Sequence, residues 1–206
     1  MSAIPAIPIE PVTQSTRTGR HVLNVILRDP LSFISTIIII LFILIGIFAY
    51  QVAPYPKEGA GKTNVANSLL TPSLAHPFGT DKLGRDVLSR VIVGARPALI
   101  VPIGVVLFAV LIGAPLGAIA GYKGGWVDEV IMRITDLFLA FPSLLLAMAI
   151  ASALGRGLQN AAIALVVSWW PWYTRLTRGV TISLKERYFV EAAQAIGVRD
   201  SVIILR

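Results

Sequence analysis

The chain has 206 residues, of which 55% are hydrophobic and only 14% charged, with a formal net charge of +7 and no cysteine. Soluble domains carry about 25% charged residues, so a freely soluble globular fold is excluded, and a mean hydropathy of +0.76 points the same way. The lack of cysteine removes disulfides, thiolate metal sites and cysteine nucleophiles together. The bases flank apolar runs and form no single stripe, which argues for membrane orientation and against a nucleic-acid partner.

Residues 1–20 hold Pro5, Pro8 and Pro11 among few periodic apolar positions. This is the composition of a disordered tail, read either as a plain linker or as a polyproline ligand. Residues 21–28 place apolar side chains at 22, 23, 25 and 26, which suits a short interfacial helix ahead of Asp29-Pro30, where the proline fits a first helical turn.

Four charge-free runs follow, at 31–52, 97–122, 137–155 and 157–174. A hydrocarbon core of about 30 Å takes about 20 apolar residues in a helix, and continuous rather than alternating runs fit helices, not a barrel. The first run is too long for a signal-peptide core and lacks a small-x-small cleavage site, so it reads as an uncleaved span. The expected fold is an all-α polytopic transmembrane bundle with four spans. Arg17, Arg20 and Arg28 put the N-terminus inside, and Arg175, Arg178, Lys185, Arg187, Arg199 and Arg206 put the C-terminal segment inside. The loop 53–96 is then external, although Lys57, Lys62, Lys82, Arg85, Arg90 and Arg96 outnumber Glu58, Asp81 and Asp86 there. Long loops obey the charge rule less strictly than short ones.

Within that loop, Pro54, Pro56, Gly59, Gly61 and Pro72 predict irregular backbone. Asp86 is placed to cap a helix whose positions Val87, Val91 and Ala95 share one face. Gly59-Ala60-Gly61-Lys62-Thr63 imitates the end of a phosphate-binding loop, but Pro56 occupies the first glycine position and a membrane span precedes it. If ATP drives this protein, another subunit must bind it.

Gly113, Gly117 and Gly121 recur every four residues on the second span, making a smooth stripe for close helix approach. Pro102 and Pro115 are expected to bend that span, and Pro142 the third. Asp128, Glu129, Arg133 and Asp136 precede the third run, with Glu129–Arg133 and Arg133–Asp136 at helical spacing. They serve either structural anchoring or an ion pathway. Trp169-Trp170-Pro171-Trp172-Tyr173 suits a membrane-interface belt or a buried aromatic core. His21 and His76 are single, without a second ligand at metal spacing, and no serine has a histidine and an acid in register. No catalytic, metal or cofactor residue is assigned.

At the C-terminal end, Ser183 and Glu186 fit a capping box, predicting a helix over 184–196. Phe189, Ala192, Ala193 and Ile196 then share one narrow face, and Gly197 sits where a left-handed cap is wanted. Asp200 or Ser201 is placed to cap a second short helix over 202–205. Such a knob is a docking element or a simple connector.

Glu191-Ala192-Ala193 followed after three residues by Gly197 resembles the EAA signature of permease subunits from binding-protein-dependent ABC importers. Phe78-Gly79-Thr80-Asp81, Leu83-Gly84-Arg85-Asp86 and Gly94-Ala95-Arg96 resemble the C-type permease of the dipeptide/oligopeptide/nickel branch, as does Asp136 with Ala140-Phe141-Pro142. The resemblance runs from Asp29 to the end. It implies a type I importer permease with six spans, paired with a second permease, two cytoplasmic ATPase subunits and an extracytoplasmic solute-binding protein in the inner membrane. It also implies that Glu191 is a polar contact or anchor, Ala192 and Ala193 a close-packing face, and Gly197 the turn. Val198, Asp200, Val202 and Leu205 fall on the segment that docks on the ATPase. The family pattern continues into an isoleucine-leucine-proline and two more spans, so the chain is expected to be incomplete after the motif.

The organisation that follows is a tail at 1–28, a first span at 29–53, an external loop at 54–96 and a permease core at 97–206, with coupling segment 175–206. Two other functions stand beside import. One is a non-transporting membrane anchor with a docking knob, and the other an ion or proton carrier, which needs charges that the run centres lack.

Overall fold

The computed structural model describes residues 28–205, and every regular element among them is helical. The proline-bearing tail, Arg17, Arg20, Arg206 and nearly all of the expected interfacial helix lie outside the described residues. The chain divides into two compact units, one up to Arg96 and one from Pro97 onward.

In the first unit, α1 spans Pro30–Ile47 and begins as its sequence requires. The Asp29 carboxylate accepts from the Ser32 amide at 3.1 Å and its hydroxyl at 2.6 Å, with Pro30 in the first turn. The helix is apolar all round, and Ile37, Ile38, Ile39, Ile40 and Leu41 are each 48–60% exposed. Water would penalise that surface heavily, at about 25 cal/mol per Å², whereas lipid would not. A short helix, α2 (Ala49–Val52), follows a break at Phe48.

The segment after α2 is irregular, as its prolines and glycines predict, yet it is closely hydrogen-bonded. It holds α3 (Pro56–Gly59), a 3-10 turn at Val65–Asn67 and a hairpin-like turn whose isolated bridge joins Thr80 to Asp86. Asp81 organises that turn. Its carboxylate accepts from the Leu83 and Arg85 amides at 2.9 and 3.0 Å, from Arg85 Nε at 2.8 Å and from Arg90 Nη1 at 2.6 Å. Arg96 lies 5.4 Å over the Tyr50 ring. Half of the troublesome basic residues of this segment are therefore matched locally.

His76 is not an ordinary loop histidine. It is buried, stacked on Tyr55 at 4.8 Å, with Nδ1 2.9 Å from Asp86 Oδ1. Asp86 is wholly buried and also accepts from the Ser89 amide at 2.7 Å, which caps the helix as expected. The expected face does not hold, because Val91 is 60% exposed while Ser89 and Val93 are buried. Positions 86, 89 and 93 face inward instead, with Asp86 against His76.

The Arg85 guanidinium holds the Asp81 carboxyl at about 2, below the ordinary 3.8. Burial pushes Asp86 up, but hydrogen bonds from Ser89 and His76 outweigh it and leave the carboxyl below its ordinary value. A depressed carboxylate stabilises the fold above its unfolded value, and that contribution disappears as pH falls through the folded value. Amide protection across 80–90 is therefore expected to be flat from neutral pH down to about 4 and to fall between about 4 and about 2. Asp81→Asn should weaken protection at neutral pH and flatten that acid step. An unchanged acid profile in Asp81→Asn would rule out Asp81 as its source.

In the chain after the first unit's loop, α4 (Val87–Lys123) runs uninterrupted through Pro97, Pro102 and Pro115. At about 1.5 Å per residue its 37 residues exceed a bilayer core. Next come α5 (Gly125–Leu139) and α6 (Ser143–Leu154), bent by 83° at a break that includes Pro142. The run at 137–155 is thus not one helix. Pro142 donates no amide hydrogen and takes φ −54 and ψ 122, which ends helical continuity outright. The last long element, α7 (Leu158–Lys185), packs along α6 and across α5.

By length and composition α1 and α4 are able to cross a bilayer, and α5–α6 makes a third crossing if the bent pair counts as one. The expected fourth run lies within α7, whose apolar content is diluted by Gln159, Asn160 and the aromatic stretch. That stretch divides between both readings: Trp170 meets Phe138 edge-on at 5.3 Å, while Trp169 and Trp172 are 42% and 58% exposed.

Candidate functional site

The glycine stripe sets the frame of the second unit. A Cβ on Gly113 would stand 2.5 Å from the Trp170 carbonyl oxygen, on Gly117 2.3 Å from that of Thr174, and on Gly121 2.8 Å from that of Arg178. Both series ascend together by four residues, so α4 and α7 run parallel, backbone against backbone. Buried hydroxyls on α7 back-bond along the helix, Ser168 to the Ala164 carbonyl at 2.8 Å and Thr174 to that of Trp170 at 3.1 Å. Among the described residues no buried side-chain polar atom lacks a partner.

The acids of α5 are anchors. Asp128 receives Arg178 Nε and Nη2 at 2.5 and 2.6 Å, and Asp136 receives Arg175. Only Glu129–Arg133, at 3.4 Å, forms within α5 as spaced. The expected Arg133–Asp136 pair gives way to the bond from α7, which ties two helices where the local pair would tie none.

Beyond α7 the chain makes an angled pair of short helices, α8 (Tyr188–Ala195) and α9 (Asp200–Leu205). The capping box at Ser183 and Glu186 does not form. The Ser183 hydroxyl donates to the Val180 carbonyl at 2.8 Å, and α7 continues to Lys185. The expected single helix over 184–196 is broken at Glu186–Arg187, where Arg187 is extended and heads α8.

Gly197 takes φ +80. The Val198 amide donates to the Ala193 carbonyl at 3.1 Å and the Gly197 amide to that of Gln194 at 2.9 Å, a Schellman turn that redirects the chain into α9. Asp200 does not cap α9, because its carboxylate accepts from the Tyr122 hydroxyl at 2.8 Å. Ser201 does not cap it either: the Arg199 carbonyl receives the Val202 and Ile203 amides.

The elbow is held from one side and open on the other. Val190 is buried, whereas Tyr188, Phe189 and Ile196 are 89%, 66% and 81% exposed. Ala192 is exposed and Ala193 and Val198 half-buried. Val202 is 40% exposed, and Leu205 ends α9. Glu191 is exposed and makes no side-chain hydrogen bond or ion pair among the described residues. The intrachain anchors are Tyr122, Gln194, Asp200 and Lys185; from sequence, Asp200 reads as a cap, Lys185 as an orienting charge, and the other two carry no assigned role. Tyr122 carried one signal, its place next to the last stripe glycine.

Two family models match the chain. Residues 113–206 match the binding-protein-dependent transport system inner membrane component, and residues 19–72 match the N-terminal transmembrane domain of oligopeptide transport permease C. A dipeptide transport system permease protein of Alkalihalophilus pseudofirmus is 45% identical over 177 residues, 86% of this chain and 57% of that protein. A glutathione transport system permease protein of Escherichia coli is 42% identical over 183 residues, 87% of this chain and 58% of that protein. The chain thus spans somewhat over half the length of the curated relatives it matches. The elbow and the glycine-striped part of α4 with its α7 partner lie within residues 113–206 of the matched component, and the chain belongs to the inner membrane permease components of binding-protein-dependent ABC importers.

Proposed function

We propose that this chain is a permease subunit of an ATP-driven importer for small peptides, and that α8–α9 docks on a cytoplasmic ATPase. The observation that carries the reading is the elbow itself. Phe189 and Ile196, both apolar, stand exposed on it, while the Schellman turn and the Tyr122 contacts fix its angle. An apolar knob held that rigidly suits a cleft on a moving partner. The small residues Ala192 and Ala193 let that surface approach closely, and Glu191 is left available for a partner's polar group.

In this reading α1, α4, the α5–α6 pair and α7 are four crossings, with both described ends cytoplasmic. Packing against α6 and the arginine–aspartate pairs let α7 tolerate its polar content. A second permease, two ATPase subunits and an extracytoplasmic binding protein complete the assembly, and ATP hydrolysis takes place on the ATPases. The substrate class follows the named relatives, a dipeptide in one and glutathione in the other, both peptide-like. ATPase closure moves the elbow, and the α4–α7 contact carries the motion into the bilayer.

Gly197→Val tests this in the complete reconstituted importer. A β-branched residue at φ +80 costs about 1–3 kcal/mol locally, so the elbow angle is lost while the membrane helices persist. ATP-dependent peptide uptake and ATPase retention are expected to fall together by about tenfold or more. Wild-type uptake and retention in this variant would instead favour a membrane anchor whose C-terminal helices dock nothing.

A further inference from the structure

Tyr122 collects contacts from every element of the elbow. It lies in the last turn of α4 and is 6% exposed. Its hydroxyl donates to Asp200 Oδ1 on α9 at 2.8 Å and accepts from Gln194 Nε2 on α8 at 3.1 Å. Its carbonyl accepts from Lys185 Nζ, at the end of α7, at 2.6 Å, and the same ammonium stands 5.5 Å over its ring. One residue, through its hydroxyl, ring and carbonyl, therefore ties the ends of α7, α8 and α9 to α4.

A half-open cleft of about 350 Å³ lies beside Tyr122, lined also by Ala118, Leu184, Val190, Ile203 and Ile204. A second, of about 440 Å³, lies beside Ala114, Pro115, Thr177, Ser201 and Ile204. The hydroxyl-carboxylate bond is therefore the polar link from α9 to α4 across these clefts. Just above Tyr122, Gly121 presses on the Arg178 carbonyl, and Arg178 in turn grips Asp128 of α5. The tyrosine stands where the elbow's motion enters a tightly packed three-helix contact.

We infer that Tyr122 is the positioning residue that couples the elbow to the transmembrane helices, acting through Asp200 and Gln194, and not a docking residue itself. The inference rests on the docking reading above. It separates two functions that the elbow alone leaves merged: its open face holds the ATPase, and its inner face transmits the stroke.

The test uses the complete reconstituted importer and reads three quantities: ATPase retention, ATP hydrolysis, and peptide taken up per ATP hydrolysed. Tyr122→Phe keeps the ring, the carbonyl and the lysine contact and removes only the hydroxyl. It is expected to leave retention unchanged and to lower uptake per ATP by about tenfold, the scale of losing a hydrogen bond to a charged group. Asp200→Ala, at an exposed position, should lower uptake per ATP to the same degree, and in that ratio the double variant should be no worse than either single one. Asp200→Asn keeps an acceptor for the hydroxyl and should retain most of the wild-type ratio, which a purely structural role for the charge would not predict.

A wild-type uptake-to-hydrolysis ratio in both Tyr122→Phe and Asp200→Ala overturns the inference, as does strict additivity in the double variant. Failure of the docking reading has a different signature. Phe189→Asp combined with Ile196→Asp would then leave ATPase retention intact, whatever Tyr122→Phe does.

Discussion

Gly117→Val is expected to destabilise the second unit by roughly 3 kcal/mol or more, while Gly104→Val on the same helix stays within about 0.5 kcal/mol of wild type. The two glycines share a helix, a residue type and a membrane setting, and differ in what stands opposite. A Cβ on Gly117 meets the Thr174 carbonyl oxygen at 2.3 Å, the Arg178 amide nitrogen at 2.9 Å and Thr177 Cβ at 3.0 Å. Two of those atoms are backbone and cannot rotate away, so α4 and α7 must separate along their whole parallel contact. A Cβ on Gly104 meets nothing within 4 Å, and valine even gains slightly in helix propensity over glycine. Chemical unfolding in detergent, followed by tryptophan fluorescence, reads the difference because Trp170 sits on the contact. Equal stability of the two variants would mean that the stripe is no helix contact. Uptake should follow stability in this pair, since separating α4 from α7 also moves Tyr122 relative to the end of α7.

What the sequence made legible, and what it did not, follows the range of the physics involved. Local backbone chemistry could be read directly: Asp29 ahead of Pro30, Asp86 ahead of α4 and Gly197 after α8 all act through atoms within four residues of themselves. The glycine stripe was legible as a contact surface because the absence of side chains is itself the signal. Its partner was not, because the nearest atoms of α7 to it are backbone carbonyl oxygens, which no residue type announces.

Polar partners failed for a similar reason. Ser183 and Glu186 have the spacing of a cap, but α7 gains more by continuing to Lys185, whose ammonium reaches the Tyr122 carbonyl 63 positions earlier in sequence. Asp136 has Arg133 within reach yet binds Arg175. Asp200 looked like a cap and is instead the acceptor for a tyrosine from another helix. For Asp136 and Asp200 a long-range partner displaced a short-range one, and periodicity cannot rank the two. His76 belongs to the same class, since its burial depends on Tyr55 and Asp86 closing over it.

The same distinction between sterics and local conformation can be measured in the segment after α1, where Gly84→Ala should be among the most damaging single substitutions. Asp81 to Gly84 form a tight turn in which the Gly84 amide donates to the Asp81 carbonyl at 2.9 Å and the Asp81 side chain holds the Leu83 amide. Gly84 closes it at φ +72, and a Cβ there would lie 1.6 Å from the Asn64 carbonyl oxygen and 2.4 Å from its carbon. That overlap is with backbone fixed in place by the Asn64 amide bonding to the Leu83 carbonyl at 2.9 Å, so neither segment can yield without breaking that bond. Gly61 is the control. It is equally left-handed at φ +111 but has nothing within 4 Å of a Cβ, so alanine there meets conformational strain of about 1–3 kcal/mol and no collision. Hydrogen exchange at Asn64, Leu69, Thr80 and Asp81, whose amides knit this segment, should quicken by about a hundredfold or more in Gly84→Ala, a loss near 3 kcal/mol. It should change far less in Gly61→Ala. Comparable protection loss in the two would show that the left-handed conformation, not the packing of residue 64 against the turn, holds the segment together, and Asp81 would then be organising a turn that nothing else depends on.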